Sequence, residues 1–165
     1  MFRFNRAASV CVLTVSALAA STVLFVSGCN NTTTPSSDTK TLYDRLGGDP
    51  AIKAVVHDFV GRAAGDKDLN FTRVGKPNHW DATPDNVAKL ELHLVQFIES
   101  NTGGPKIYEG RDMATVHAGM GITEAEWGLI VGDLKATLAK FNVLQKEQDD
   151  LIAVVATTHD QIVGK

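Results

Sequence analysis

Apolar residues recur at the spacing of one helix face from Thr41 towards the end of the chain. The first such stripe follows Gly47-Gly48, where we expect Asp49 to cap a helix and Pro50 to take its first position. Gly65 and the polar run after it are expected to end this helix. The stripe consists of Ile52, Val55, Val56, Phe59 and Val60. Its spacing of three and four residues predicts a helix with one buried face.

A loop and a second helix are predicted next. Residues 70–81 contain glycine, proline and asparagine, which favour a loop. Thr83-Pro84 supplies a hydroxyl cap and a first-position proline, and the helix is expected to stop before Gly103-Gly104-Pro105. Its apolar face consists of Val87, Leu90, Leu94, Phe97 and Ile98. Because Leu92 and Val95 widen that face, we expect this helix to be heavily buried.

Three further helices are predicted towards the end of the chain. The first is short and carries Met113, Val116 and His117. Thr123 with Glu126 three residues later forms a capping box, which opens a longer helix that Asn142 is expected to close. The last helix is expected to carry Leu151, Ile152, Val155, His159 and Ile162. No segment alternates with a period of two over a useful length, so the predicted fold class is all-α.

The N-terminal segment has the pattern of an export signal. Two arginines precede an uncharged run, residues 7–26, which is long enough to span a bilayer as a retained anchor. The Val26-Ser27-Gly28-Cys29 stretch resembles the lipobox of bacterial lipoproteins, which favours cleavage over a retained anchor. We therefore interpret residues 1–28 as a signal peptide, Cys29 as a lipidated N-terminus and residues 29–40 as a polar tether. The prediction is an exported protein, anchored by its lipid to a bacterial membrane at the periplasmic face or the outer membrane.

Composition and motifs exclude several functions. The chain has 16 Lys and Arg against 19 Asp and Glu, so we expect no nucleic-acid partner, which would require a basic face. Its two cysteines show neither Cys-x-x-Cys nor zinc-site spacing. The sequence contains neither a Gly-x-Ser-x-Gly turn nor a Gly-x-x-x-x-Gly-Lys phosphate loop. The five histidines are therefore the most informative polar residues.

Two of the histidines stand among apolar residues. His93 lies in a Leu-Glu-Leu-His-Leu-Val run, and His117 lies on the short helix before a glycine. Each alone is most simply a hydrogen-bonded core histidine. On separate helices that face one apolar interior, the two could instead bind a flat apolar cofactor through its iron. We expect His57 and His159 to lie at the surface and His79 to lie in the loop.

Two blocks of the sequence resemble the group I truncated haemoglobins. Residues 41–48, Thr-Leu-Tyr-Asp-Arg-Leu-Gly-Gly, look like the opening of these proteins. The Gly103-Gly104-Pro105 stretch and residues 108–123 resemble the most specific segment of the family. The likeness extends from Leu42 to about Val163. It implies that residues 41–165 form a two-over-two helical sandwich around haem b (iron protoporphyrin IX).

The resemblance also implies roles for individual residues. His117 matches the proximal histidine that binds the haem iron. His93 lies where some relatives supply a second, distal axial ligand, and Phe71 matches an aromatic residue that packs on the haem face. The haem pocket that the resemblance implies consists of Phe59, Val60, Phe71, Leu90, His93, Leu94, Phe97, Met113, Val116 and His117.

Three distal positions depart from the family pattern. Family members commonly have tyrosine where Val60 stands, and glutamine at one or both of the positions of Leu90 and Leu94. Those polar groups hydrogen-bond bound oxygen, and the loss of one charge-assisted hydrogen bond costs about 1.5–3 kcal/mol. We therefore expect an apolar distal pocket that binds O2, NO or CO without tight oxygen storage.

Two alternatives to gas binding remain at this stage. One is a haem enzyme for NO dioxygenation or a peroxidase-like reaction, which needs an unidentified reductase because the sequence shows no flavin or nicotinamide domain. The other is a haem-free structural or sensory lipoprotein with a globin fold. The intact segment around His117 favours haem binding, since an empty pocket has no need of that histidine.

Overall fold

Residues 40–165, the part of the chain that this computed structural model describes, contain seven α-helices. Their bounds are α1 Leu42–Arg45, α2 Gly48–Gly65, α3 Pro84–Thr102, α4 Met113–His117, α5 Glu124–Lys140, α6 Gln145–Ala156 and α7 His159–Ile162. The predicted signal peptide, Cys29 and nearly all of the predicted tether lie outside the described residues. Across residues 40–165, no helix has the length and apolar character that crossing a membrane requires.

Helix α2 begins earlier than the sequence predicts. Its N-cap is Gly47, with φ of 94°, and Asp49 lies in the first turn, so the prediction that Asp49 caps this helix is wrong. The left-handed backbone that glycine permits lets the helix begin at Gly48. The Asp49 backbone N–H donates to the Tyr43 hydroxyl at 3.0 Å. The end of the helix at Gly65 and the following loop are as predicted.

Helix α3 begins as predicted but is less buried than predicted. The Thr83 hydroxyl accepts a hydrogen bond from the Asn86 backbone N–H, and Pro84 takes the first position. Val95 and Ile98 are buried, whereas Leu92 is 49% exposed and does not widen the buried face. At 3.6 residues per turn, Leu92 lies about 200° around the helix from Leu90, which places it on the solvent side.

The C-terminal half confirms two predicted helix boundaries and corrects a third. Thr123 and Glu126 form the predicted capping box of α5, and Asn142 follows this helix with a left-handed φ of 56°. The predicted last helix is divided into α6 and α7. The hydroxyls of Thr157 and Thr158 each donate to a backbone carbonyl three residues earlier at 2.7 Å, and such local bonds compete with helix continuation.

The four long helices form the expected two-over-two arrangement. Helix α2 packs on α3 and α5, and α6 packs on the same two helices. The core between them consists of Ile52, Val55, Val56, Val60, Val95, Ile98, Leu134, Leu138 and Leu151. Within residues 40–165 there is no strand, and the isolated bridge between Ile122 and Val163 is the only β-type pairing. The all-α prediction is confirmed, and the short helix α4 packs against α7.

Candidate functional site

His117 is the last residue of α4 and is half-buried. Its Nδ1 lies 2.8 Å from the Met113 carbonyl oxygen, which can only accept, so Nδ1 carries the proton. Burial lowers the pKa of His117, while the bond to Met113 acts in the opposite direction. The ring is therefore neutral, and Nε2 keeps a lone pair. A neutral imidazole with its second nitrogen bonded to a carbonyl is the usual form of a histidine that ligates a metal.

The turn before α4 explains the Tyr-Glu-Gly-Arg motif. The Tyr108 hydroxyl donates to the Arg111 carbonyl at 2.8 Å, which folds the Tyr108 ring over Gly110. A side chain at Gly110 would collide with that ring, so glycine is required there. The Asp112 carboxylate then accepts from the Thr115 backbone N–H at 2.9 Å and caps α4.

The Gly103-Gly104 pair has a packing role at the end of α3. Gly103 adopts a left-handed φ of 86°. A Cβ at Gly104 would lie 2.6 Å from the Tyr43 ring, closer than real Cβ atoms come. Beyond the pair, the Lys106 ammonium donates to the carboxylates of Asp49 and the fully buried Glu99. These motif residues therefore fix the path of the chain between α3 and α4.

The predicted pocket residues differ in how far the structure buries them. Val60 is only 2% exposed and belongs to the core. The other apolar ones are half-buried, namely Phe59, Phe71, Leu90, Leu94, Phe97, Met113 and Val116. The core holds a void of about 10 Å³, lined by residues such as Leu46 and Ile52, which is the size of one water molecule. This void is too small for an organic cofactor, whereas the half-buried side chains offer apolar surface for one.

Phe71 is fixed by a neighbouring tryptophan. The rings of Phe71 and Trp80 meet edge to face, with centroids 5.4 Å apart. The Trp80 indole N–H donates to the Phe71 carbonyl at 3.1 Å. Phe71 also packs against the edge of the core. The structure thus gives the predicted loop between α2 and α3 an ordered aromatic pair.

His93 lies on α3 against aromatic rings. Its ring centroid is 6.2 Å from that of Tyr108, at an interplanar angle of 72°. Phe97, one turn later, contacts the same Tyr108 ring at 6.0 Å. Burial is the main cause that raises the pKa of Tyr108. The His93 ring forms no hydrogen bond to any residue between 40 and 165, so the structure assigns it no polar partner.

The remaining histidines have carboxylate or carbonyl partners. His57 is exposed and lies 2.9 Å from Glu91, as expected for a surface residue. His79 lies in the predicted loop, and its Nδ1 is 2.9 Å from a backbone carbonyl. His159 lies at the surface, as expected, with 32% of its side chain exposed. It lies between Asp160 and Glu124, which raise its pKa, because α7 folds back onto α5.

The donor set itself fits an iron porphyrin. Across residues 40–165, no three His, Cys, Asp or Glu side chains come together in a group that could hold a metal ion. A haem iron takes most of its ligands from the porphyrin and needs only one or two from the protein. One neutral histidine among half-buried apolar side chains is the matching protein contribution.

One polar residue near this site could not be predicted from the sequence. Arg73, in the loop between α2 and α3, is 4% exposed and bonds to the segment that follows His117. By local pattern, a buried cation in a polar loop is indistinguishable from a solvent-exposed one. Its acceptors lie 47 and 48 residues away in sequence, so only the fold brings them together.

Known proteins share this sequence and fold. A family model described as "Bacterial-like globin" matches residues 41–163. The "Group 1 truncated hemoglobin GlbN" of Mycolicibacterium paratuberculosis is 31% identical over 121 residues, which cover 73% of this chain and 82% of that protein. The protein of the same name from a Nostoc species is 31% identical over 125 residues, or 76% and 98% of the two chains.

A solved structure agrees with these sequence matches. Truncated haemoglobin from Tetrahymena pyriformis in its Fe(III) form superposes with a TM-score of 0.66 at 25% identity, covering 76% of this chain and 100% of that one. The predicted resemblance and the two-over-two fold are thereby confirmed. Haem is the cofactor of this family. The chain belongs to the bacterial-like globins, among the group 1 truncated haemoglobins.

Proposed function

We propose that residues 41–165 hold haem b through His117 Nε2 and bind a diatomic gas, O2, NO or CO, at the haem iron. When bound, haem would supply the iron atom that holds such a gas. The observation that carries this proposal is the bond between His117 Nδ1 and the Met113 carbonyl, which leaves Nε2 unprotonated on a half-buried ring. Membership of the globin family supports the same conclusion.

Polar and apolar residues have different roles in the proposed haem binding. The Met113 carbonyl orients the His117 ring and increases the electron density on Nε2. The half-buried apolar side chains of α3 and α4 provide surface that a porphyrin can cover and from which it excludes water. The low pKa of His117 means that the ring need not lose a proton to become a ligand.

The distal residues support rapid release of oxygen. Val60, Leu90 and Leu94 carry no hydrogen-bond donor, and all three are buried or half-buried. A gas with partial negative charge beside them would lack a charge-assisted hydrogen bond worth about 1.5–3 kcal/mol. The proposed protein therefore exchanges its gas rather than storing it.

The test of haem binding uses the purified chain and added haemin. We expect a Soret band in the visible spectrum, and we expect His117→Ala to remove it or leave a weak, altered chromophore. His57→Ala is the matched control, because His57 lies exposed beside Glu91 and should leave the spectrum unchanged. Absence of a Soret band from the parent, or a band indifferent to His117→Ala, contradicts the proposal.

We further propose that His93 is the distal axial ligand when no gas is bound. The His93 ring is half-buried and packs edge to face on Tyr108, and Phe97, one turn later on α3, packs on the same Tyr108 ring. Internal ligation predicts a six-coordinate ferrous spectrum that becomes five-coordinate in His93→Leu, with faster gas binding. A five-coordinate ferrous spectrum in the parent rules the distal ligand out.

The membrane tether is proposed from the sequence of residues 26–29. Lipidation at Cys29 would place the globin domain at a bacterial membrane, where a reductase could maintain ferrous iron. Cys29→Ser should leave an unlipidated, uncleaved precursor, detected by its mass and by loss of metabolic fatty-acid labelling. A mature chain that still partitions with membranes after this substitution contradicts the lipobox interpretation.

A peroxidase-like reaction is not favoured as a second function. It needs an acid–base group with a hydrogen-bonding partner beside the reacting atoms. His93 is the candidate for that role, and the ring that lies against it is the aromatic ring of Tyr108. Gas binding requires no such group.

A further inference from the structure

The segment that follows His117, residues 118–122, is here called the proximal turn. It connects α4 to α5, and Gly119 and Gly121 in it have left-handed φ values. Helix α4 has only five residues, and none of them is buried. So short a helix has little stability of its own and little apolar burial to hold it. The position of His117 therefore depends on what holds the segments on either side.

Arg73 holds the proximal turn through its guanidinium. Nε and Nη2 donate to the Met120 carbonyl at 3.2 and 2.6 Å, and Nη2 also donates to the Gly121 carbonyl at 3.3 Å. Nη1 donates to the Asn70 carbonyl at 3.3 Å and to Glu126 at 2.5 Å. The five donors of the side chain are thereby matched by acceptors, which fixes the guanidinium plane.

Glu126 links Arg73 to the start of α5. One carboxylate oxygen accepts from Arg73, while the other accepts from the backbone N–H and hydroxyl of Thr123. Burial by itself raises the pKa of Glu126, but Arg73 and Thr123 together hold it below its ordinary value. The carboxylate is therefore charged, and the same side chain caps α5 and orients Arg73.

The backbone of Arg73 is also fixed in an uncommon conformation. Its φ is 58°, which non-glycine residues seldom adopt, and the residue is 4% exposed. Such a conformation persists where surrounding contacts determine it. The contacts that do so here are those to the proximal turn and to Glu126.

Two other groups support the proximal turn from outside α4. The Asn78 side-chain amide donates to the Ala118 carbonyl. The Gly121 backbone N–H donates to the Lys165 carbonyl at 2.7 Å, and the Gly164 N–H donates to the Ile122 carbonyl at 2.9 Å. The turn is thus held between the loop that contains Arg73 and the C-terminal segment.

We propose that Arg73 is a positioning residue for His117, which acts by fixing the proximal turn and so the direction of the imidazole. The proposal rests on haem binding through His117, as proposed above. Arg73 is not a haem ligand in this account. Its role is to keep α4 in position when His117 binds the haem iron.

The test compares four variants of the full chain loaded with haemin. Arg73→Met removes the donors, and Arg73→Lys keeps the charge without the planar fork. Glu126→Gln keeps a capping box and removes the ion pair. The control is Arg45→Met, since Arg45 also binds two carboxylates, Glu147 and Asp150, at 2.7 Å, but between α1 and α6.

Two readouts report the iron–histidine bond rather than folding alone. The first is the rate at which ferric haem transfers to excess apomyoglobin. The second is the visible spectrum of the ferrous nitrosyl form, because NO weakens the bond opposite to it and a poorly held imidazole then leaves the iron. Loss of supporting contacts behind a metal ligand typically costs about 10–100-fold in affinity. We therefore expect Arg73→Met to lose haem about tenfold faster, and Arg73→Lys and Glu126→Gln to show smaller changes in the same direction.

The control separates positioning from stability. Arg45→Met should lower the urea midpoint and leave haem loss and the nitrosyl spectrum unchanged. If Arg73→Met does not fold, Arg73→Lys and Glu126→Gln test the role of Arg73 in its place. The role proposed for Arg73 is overturned if Arg73→Lys and Glu126→Gln lose haem at the parent rate, or if Arg45→Met accelerates haem loss as much as they do. Neither outcome contradicts haem binding through His117. A chain that shows no Soret band overturns the proposed function as well.

Discussion

The two helices that carry the candidate axial histidines are held in place in different ways. Helix α3 has 19 residues and buries Val95 and Ile98 in the core. Helix α4 has five residues, buries none of them and is bordered by a turn that accepts hydrogen bonds from remote segments. A long amphipathic helix is positioned by apolar burial, whereas a one-turn helix is positioned by the polar contacts of its neighbours.

The largest expected effect tests the apolar side of this comparison. Ile98→Ala removes a side chain that is 7% exposed and should lower the free energy of unfolding by about 2–5 kcal/mol. Val116→Ala, on the half-buried face of α4, should cost about 1 kcal/mol. Urea unfolding of the haem-free chain, followed by circular dichroism, measures both. Equal losses would show that burial positions α4 as well.

A second substitution restores a polar group to the apolar distal side. Leu94→Gln places an amide donor at a half-buried position of the proposed distal side. A new charge-assisted hydrogen bond of about 1.5 kcal/mol should slow oxygen dissociation about tenfold, measured by stopped-flow displacement with CO. Leu92→Gln is the control, because Leu92 lies on the exposed side of α3. The same slowing in both variants would contradict the assignment of Leu94 to the distal pocket.

The smallest expected effect concerns an exposed polar contact close to α4. His159 on α7 lies between Asp160 and Glu124, whose hydrogen bonds raise its pKa above the ordinary 6.5. Its contribution to stability is therefore complete below pH 6.5 and is lost as the pH rises through the raised value. The effect is small because the side chain is 32% exposed and solvent screens its ion pairs.

The pH dependence is measured against a variant that lacks the charge. The urea midpoints of the parent and of His159→Gln should differ most below pH 6.5 and should converge above the raised pKa. A difference that stays constant, or that widens with rising pH, contradicts the sign of this contribution. The comparison with Arg73 then shows how much burial adds to a polar contact near the same helix.

The sequence predicts those helix boundaries that depend on neighbouring residues and misses those that do not. The start of α3 at Thr83-Pro84 and the capping box of α5 depend on residues three positions apart, so local chemistry predicts them. The early start of α2 and the break before α7 depend on backbone geometry and hydroxyl bonds that compete with an otherwise continuous pattern. The apolar character of Leu92 predicts a place on the buried face, although helix geometry places it outside.

The candidate site divides in a similar way. The resemblance predicted His117 as a ligand, and the structure adds the Met113 bond that fixes its tautomer. No local pattern predicts Arg73, because its contacts with Met120 and Glu126 span 47 and 53 residues. Polar networks of this kind become visible only once the fold brings their members together.

The residues that hydrogen-bond to the proximal turn are far from it in sequence, and this separation affects the order of folding. Contacts between distant residues carry a larger loop-closure entropy and form late. The turn is held by Arg73 from one direction and by the pairing of Ile122 with Val163 from the other. We therefore expect the four long helices to assemble first and α4 to form last. Among the helices of the haem-free chain, the amide protons of α4 should exchange fastest. Haem would then meet a nearly complete scaffold whose iron-binding segment is still forming.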